Sequence, residues 1–148
     1  MIKKMTVDDI EDIMRIWLDE NIKAHNFISK CYWVNNYNAV REALLDTEVY
    51  CFKSKGVVLG FIGLKGDYIE GIFVDSKYQH KGIGRELLDY VKNIKSSLEL
   101  SVYEKNVAAI QFYKNNGFEI IFIQNEAATN EIEYIMKWSG NKDQKSNR

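Results

Sequence analysis

Between residues 48 and 74 the chain carries three apolar runs of period two, separated only by turn residues, and this stretch restricts the fold more than any other. Glu48 to Lys53, Val57 to Leu64 and Tyr68 to Val74 read as strands, because alternation sends successive side chains to opposite faces of a sheet. Ser54-Lys55-Gly56 and Lys65-Gly66-Asp67 are short and contain glycine, so the strands turn back on one another as an antiparallel meander. Around the meander the period changes. Ile10, Ile13, Met14, Trp17 and Leu18 recur at helical spacing behind Thr6, Asp8 and Asp9, which suit an N-cap and an acidic first turn. Residues 2–5 before them fit an edge strand, and Trp33, Tyr37, Val40, Arg41 and Leu44 predict a second helix after a less periodic stretch from Asn21 to Tyr32.

Past the meander, Ile83, Leu87, Val91 and Ile94 share one face of a helix that ends near Ser96-Ser97. Leu98 to Val102 then reads as a strand, Asn106 to Asn116 as a helix, and Phe118 to Gln124 and Glu131 to Trp138 as strands. A meander followed by strand-helix-strand-helix-strand predicts an α/β fold, a mixed sheet with helices on both faces. A length of 148 residues suits one domain, expected over 1–138, with a polar, disordered tail over 139–148.

Charge narrows the function classes. Twenty Lys and Arg stand against 21 Asp and Glu, so no overall basic field favours nucleic acid. The N-terminal residues build no signal-peptide core and no segment has the length of a membrane span, which predicts a cytoplasmic protein without a membrane partner. Cys31 and Cys51 have neither disulfide-framework nor zinc spacing, and the only histidines, His25 and His80, have no acidic cluster around them, so no metal is expected.

One loop can hold an anion. Val74 to Arg85 joins a strand to a helix and contains Gly82-Ile83-Gly84, where backbone amides can approach a ligand closely. The start of the helix adds unpaired amides and the positive end of its dipole. Lys81 and Arg85 add charge, and Gln79 and His80 can donate hydrogen bonds. Taken alone, the two glycines equally fit a tightened loop or a nucleotide-binding module. The Lys-Ser/Thr ending of a P-loop is missing, however, and Leu87 occupies the third glycine position of a dinucleotide fingerprint.

Gln79-x-x-Gly82-x-Gly84 resembles the Gln/Arg-x-x-Gly-x-Gly/Ala signature of the GNAT acetyltransferases. Asn106-Val-Ala-Ala-Ile-Gln-Phe-Tyr113-Lys-Asn-Asn-Gly117-Phe118 is similar to a second segment of that family, and the likeness extends over residues 1 to 138. The resemblance implies the GNAT fold, acetyl-coenzyme A as cosubstrate, and an amine acceptor that is a protein lysine, a protein N-terminus or a small molecule. It implies that the strand edge at Ile72, Phe73 and Val74 pairs with the pantetheine arm, and that the amides of His80, Lys81, Gly82, Ile83, Gly84 and Arg85 hold the pyrophosphate. Asn106 would bond the pantetheine, although asparagine at a helix start also fits an N-cap. Tyr113, two helical turns beyond Asn106, would protonate the departing thiolate.

The general base is open. Many relatives place a glutamate where this chain has Ser101, which leaves Glu70, Glu99, Glu104, His25 or a water chain, and which also admits a non-catalytic coenzyme A-binding sensor. Trp17, His25, Phe27, Tyr32 and Trp33 are expected near the acceptor, as a pocket or cation-binding wall or as plain core. A monomer and a homodimer are both compatible with the sequence.

Overall fold

The computed structural model describes residues 1–140. Its elements are β1 (Ile2–Lys4), α1 (Ile10–Ala24), α2 (Lys30–Ala43), β2 (Glu48–Ser54), β3 (Val57–Lys65), β4 (Tyr68–Val74), α3 (Ile83–Lys92), β5 (Ser97–Tyr103), α4 (Val107–Asn115), β6 (Glu119–Glu126) and β7 (Glu131–Ser139). The strands form one mixed seven-stranded sheet in the order β1-β2-β3-β4-β5-β7-β6. Every neighbouring pair is antiparallel except β4 and β5. That parallel pair meets at two positions only, Tyr68 with Glu99 and Ile69 with Leu100, after which the strands part.

Alternation assigns the two faces. Val49 and Cys51 pack with Val58, Phe61 and the α1 residues Ile13, Met14 and Ile16. Ile62, Leu64, Leu98, Leu100 and Met136 pack on the opposite side with Leu87, Leu88 and Val91 of α3 and with Tyr113 of α4. Helices therefore cover both faces, as the strand-helix run predicts, and each half of the core is a separate apolar cluster.

The boundaries differ in physically simple ways. Thr6 does not cap α1 directly: its amide donates to Asp9 Oδ2 at 2.9 Å across a 3₁₀ turn, Val7–Asp9, and α1 follows. α1 then continues to Ala24, through the stretch that lacks apolar period, because Glu20 and Asn21 are buried polar residues on its inward side. Ser29 starts α2 by accepting from the Cys31 amide at 3.2 Å. α3 ends at Lys92, so Ile94 falls beyond the helix and is half exposed instead of completing its apolar stripe. β7 runs one residue past Trp138, and of the tail expected over 139–148, residues 141–148 lie outside the described residues. No helix among the described residues is long and apolar enough to cross a membrane.

Candidate active site

The parting of β4 from β5 leaves a strand edge without a partner. Asp75 donates its amide to the Leu59 carbonyl at 2.9 Å, so residue 75 points its backbone towards β3. By alternation along an antiparallel pair, Phe73 does the same, while the amides and carbonyls of Ile72 and Val74 face the gap. Of the three residues expected along this edge, Ile72 offers its amide and carbonyl to a ligand, Val74 offers its amide, and Phe73 turns its backbone away.

Beyond β4, helix α1 grips the loop. Glu20 accepts from the Ser76 amide at 3.1 Å, the Ser76 hydroxyl at 2.7 Å and Gln79 Nε2 at 3.0 Å. Gln79 Nε2 also donates to the Val74 carbonyl at 2.9 Å, so the amide of this signature glutamine is committed to shaping the loop. Asp75 accepts from the Lys77 amide at 3.0 Å and from Arg15 at 3.1 Å. Burial alone would raise the Asp75 pKa, yet these partners hold it below the ordinary carboxylate value.

The loop then reverses through two left-handed residues, His80 at φ 64° and Gly82 at φ 84°. Among the described residues no protein acceptor meets the amides of His80 to Arg85, which is the arrangement expected where α3 begins and where an anion would sit. A β-carbon added at Gly82 would meet nothing within 4 Å, so that position opens onto free space, whereas one at Gly84 would come 3.5 Å from the Phe112 ring. A cavity of about 600 Å³ lies here, lined by Ile72, Val74, Tyr78, Gln79, His80, Gly82, Ile83, Gly84, Arg85, Phe112 and Tyr113. Lys81 is exposed, stands 5.9 Å from the Tyr78 ring and does not line it. A free strand edge, unpaired amides and a basic rim fit a diphosphate on an amide-bearing arm.

A second cavity of about 520 Å³ adjoins the first, and the two share Ile72, Val74, Gln79, Ala108, Ala109 and Tyr113. Trp17, His25, Trp33 and Asn106 line it; Phe27 and Tyr32 do not. Phe27 packs edge-on against His25 and Tyr103, both at 5.7 Å, and Tyr32 against Trp33 at 4.9 Å, so these two rings brace the wall. Glu20, Tyr68, Tyr103, Glu126 and Glu133 also line the cavity and were missed as site residues. A signal for Glu133 was present: an acid inside strand β7, opposite Tyr103 on β5 and Gln124 on β6, points to a polar patch on that face.

Tyr113 stands at the junction of the two cavities. It is 9% exposed and packed against Phe112 and Phe118. Burial, helped by the nearby Tyr68 phenol, pushes its pKa well above the ordinary tyrosine value, so the hydroxyl keeps its proton at neutral pH.

Asn106 settles the state of His25. Its Oδ1 accepts from the Ala109 amide at 3.2 Å as a helix cap, so its Nδ2 is the atom that faces His25 Nε2 at 3.2 Å. Nδ2 can only donate, so Nε2 accepts and the ring proton falls on Nδ1, which is buried and has no hydrogen-bond partner among the described residues. Burial holds the His25 pKa below its ordinary value, although the Asn21 carbonyl and Glu126 pull the other way. In this arrangement the His25 Nε2 lone pair is engaged by Asn106 and not directed at the cavity's free space.

The other candidate bases separate as clearly. Glu99 and Glu104 line neither cavity, and Glu104 accepts from the Tyr134 hydroxyl at 3.0 Å. Glu70 lines the second cavity and is exposed. Ser101 accepts from Tyr68 at 2.7 Å, and carboxylates reach the cavity from other strands in spite of it. No group of three or more potential metal ligands occurs among the described residues.

A sheet split open beside a helix start with unpaired amides has room for a coenzyme A thioester, and the comparisons place the chain among the transferases that draw an acyl group from one. The chain belongs to the GNAT acetyltransferase family: the acetyltransferase (GNAT) domain profile matches residues 46–120, and the peptidyl-lysine N-acetyltransferase YiaC of Escherichia coli K12 is 32% identical over 140 residues, 93% of this chain and 96% of that protein. The solution structure of apo YjaB from Escherichia coli superposes with a TM-score of 0.84 at 22% identity, covering 95% of this chain and 97% of that one. A Bacillus anthracis str. Ames acetyltransferase crystallised with acetyl coenzyme A matches at TM-score 0.57 and 27% identity, over 63% of this chain and 62% of that one. The protein is an acetyl-coenzyme A-dependent N-acetyltransferase.

Proposed function

We propose that the acceptor is the side-chain amine of a lysine in a peptide or protein, and that Tyr113 is the catalytic acid. The observation carrying this reading is the position of Tyr113, a buried, protonated phenol where a cleft rimmed by Arg85 and His80 meets a cavity lined by carboxylates and aromatic rings. The first suits an anionic cosubstrate and the second a cationic acceptor. The peptidyl-lysine names of YiaC and of YjaB from Escherichia coli K12, which is 26% identical over 120 residues, point the same way.

Bound acetyl-coenzyme A would supply the acetyl group and a thiolate as leaving group. The chain's own residues do the rest. Ile72 and Val74 would align the arm along the strand edge, and the amides of His80 to Arg85 would hold the diphosphate. As the amine nitrogen bonds the acetyl carbon and the carbon–sulfur bond breaks, the Tyr113 hydroxyl would donate its proton to the departing thiolate, and the proton that nitrogen sheds on becoming an amide would pass through cavity water to restore the phenol. Asn106 and His25 fix the wall between arm and acceptor. Two free thiols, Cys31 exposed and Cys51 buried, suit a cytoplasmic setting.

The test is incubation of the full chain with acetyl-coenzyme A and a peptide containing a single lysine, read by mass spectrometry. Acetylation on the lysine side chain is expected; a product on the peptide N-terminus alone, or none, overturns the acceptor assignment.

A further inference from the structure

The acceptor cavity has a charge pattern that the transfer chemistry leaves unused. Glu20, Glu70, Glu126 and Glu133 line it, and no lysine or arginine does. These carboxylates differ in what already holds them. Glu20 is committed to Ser76 and Gln79, and Glu126 accepts from the Tyr103 hydroxyl at 2.7 Å and the Thr129 hydroxyl at 2.5 Å. Glu70 is exposed. Glu133 is 8% exposed, in the strand between β5 and β6, and among the described residues its one hydrogen-bond partner is the neutral Gln124 amide, 2.5 Å from Oε1. It makes no ion pair among those residues. Glu133 thus meets the cavity with no cation beside it, and a cation entering the cavity would complete its pairing.

The neighbours suit such a cation. Glu133 lies opposite Tyr103, two positions from Ser101 on the same strand face, and His25 packs its ring 5.1 Å from that of Tyr103 and 5.2 Å from that of Trp33. Aromatic faces beside one free carboxylate oxygen can embrace a long aliphatic stem that ends in a charge. We propose that Glu133 is the anchor that captures the acceptor as its ammonium ion, before that group gives up a proton to cavity water and attacks as the neutral amine, and that it selects cationic side chains over neutral ones of the same length. The inference rests on the lysine reading above and names the residue that enforces it.

The test measures binding to the full chain loaded with coenzyme A, by calorimetry, for a single-lysine peptide and for the same peptide with norleucine in its place. The wild-type protein is expected to prefer the lysine peptide tenfold or more. Glu133→Gln keeps the volume and the Gln124 contact, and is expected to cut that preference to threefold or less while coenzyme A affinity stays within twofold. A folded Glu133→Gln protein that keeps the full preference overturns the anchor, and does so while the wild type still acetylates the peptide, which leaves the lysine reading intact. A wild type that neither acetylates nor prefers the lysine peptide overturns that reading and this inference with it. If Glu133→Gln does not fold, Glu133→Asp serves: withdrawing the carboxylate by one methylene is expected to give an intermediate preference, and an undiminished one overturns the assignment.

Discussion

Single side chains decide the chemistry here, and two can be isolated. Removing the Tyr113 hydroxyl leaves the ring packing against Phe112 and Phe118 intact. Tyr113→Phe is therefore expected to bind acetyl-coenzyme A within about twofold of wild type yet lose on the order of a hundredfold or more in kcat, the usual worth of a positioned acid, as steady-state kinetics beside calorimetry would show. His25 makes a second case. Its folded pKa lies below the ordinary histidine value because burial disfavours the charged ring. An unfolded chain binds that proton more readily, so stability is full above about pH 6.5 and falls as pH drops towards the folded value, by at most about 1.4 kcal/mol per pH unit. Urea midpoints between pH 5 and 7 should show that slope in wild type and a weaker one in His25→Gln. Neither the tautomer nor the burial of His25 is legible in sequence, since the first depends on Asn106, eighty-one positions away along the chain, and the second on the rings of Phe27, Trp33 and Tyr103 packed around it.

At the level of elements, the loop from Asp75 to Gly82 matters most, and it was the part most readable in advance. Gly82 before α3 and Gly84 in its first turn, together with Gln79 three residues earlier, mark the turn in the sequence, although the glycines alone fit a tightened loop as well. What could not be read is the clamp. Glu20 and Asn21 interrupt the apolar period of α1, and their place in a helix makes sense only once Ser76 and Gln79 are beside Glu20. Gln79→Ala should thus loosen the loop without removing a ligand contact: several-fold weaker acetyl-coenzyme A binding is expected, with kcat nearly unchanged. Gly82→Ala should act differently, because a β-carbon at φ 84° costs roughly 1 kcal/mol of stability and projects into the open cradle. A thermal melt and a cofactor titration on each variant separate the two effects.

Across the whole molecule, patterning alone gave the element order and the layering, since three period-two runs with short turns leave few alternatives. Register, the split between β4 and β5 and the depth of each helix are properties of the assembled sheet, and Ile94, whose spacing matched the α3 stripe, shows how a pattern can outrun the helix that carries it. The apolar clusters on the two faces predict similar penalties: Leu87→Ala on one side and Ile13→Ala on the other, both fully buried, should each cost about 2–5 kcal/mol in urea unfolding. Between the slabs β1–β4 and β5–β7 the sheet has only two rungs, a narrow seam bridged on one face by the core that Ile62 and Leu64 share with Leu98, Leu100 and Met136. Without cosubstrate, amide exchange in β5 and β7 should report openings that β2 and β3 do not share. A thioester threaded through the seam would act as the missing rungs, so filling it should fuse the slabs into one cooperative block, and the chain would then sense its own substrate supply as a change in rigidity.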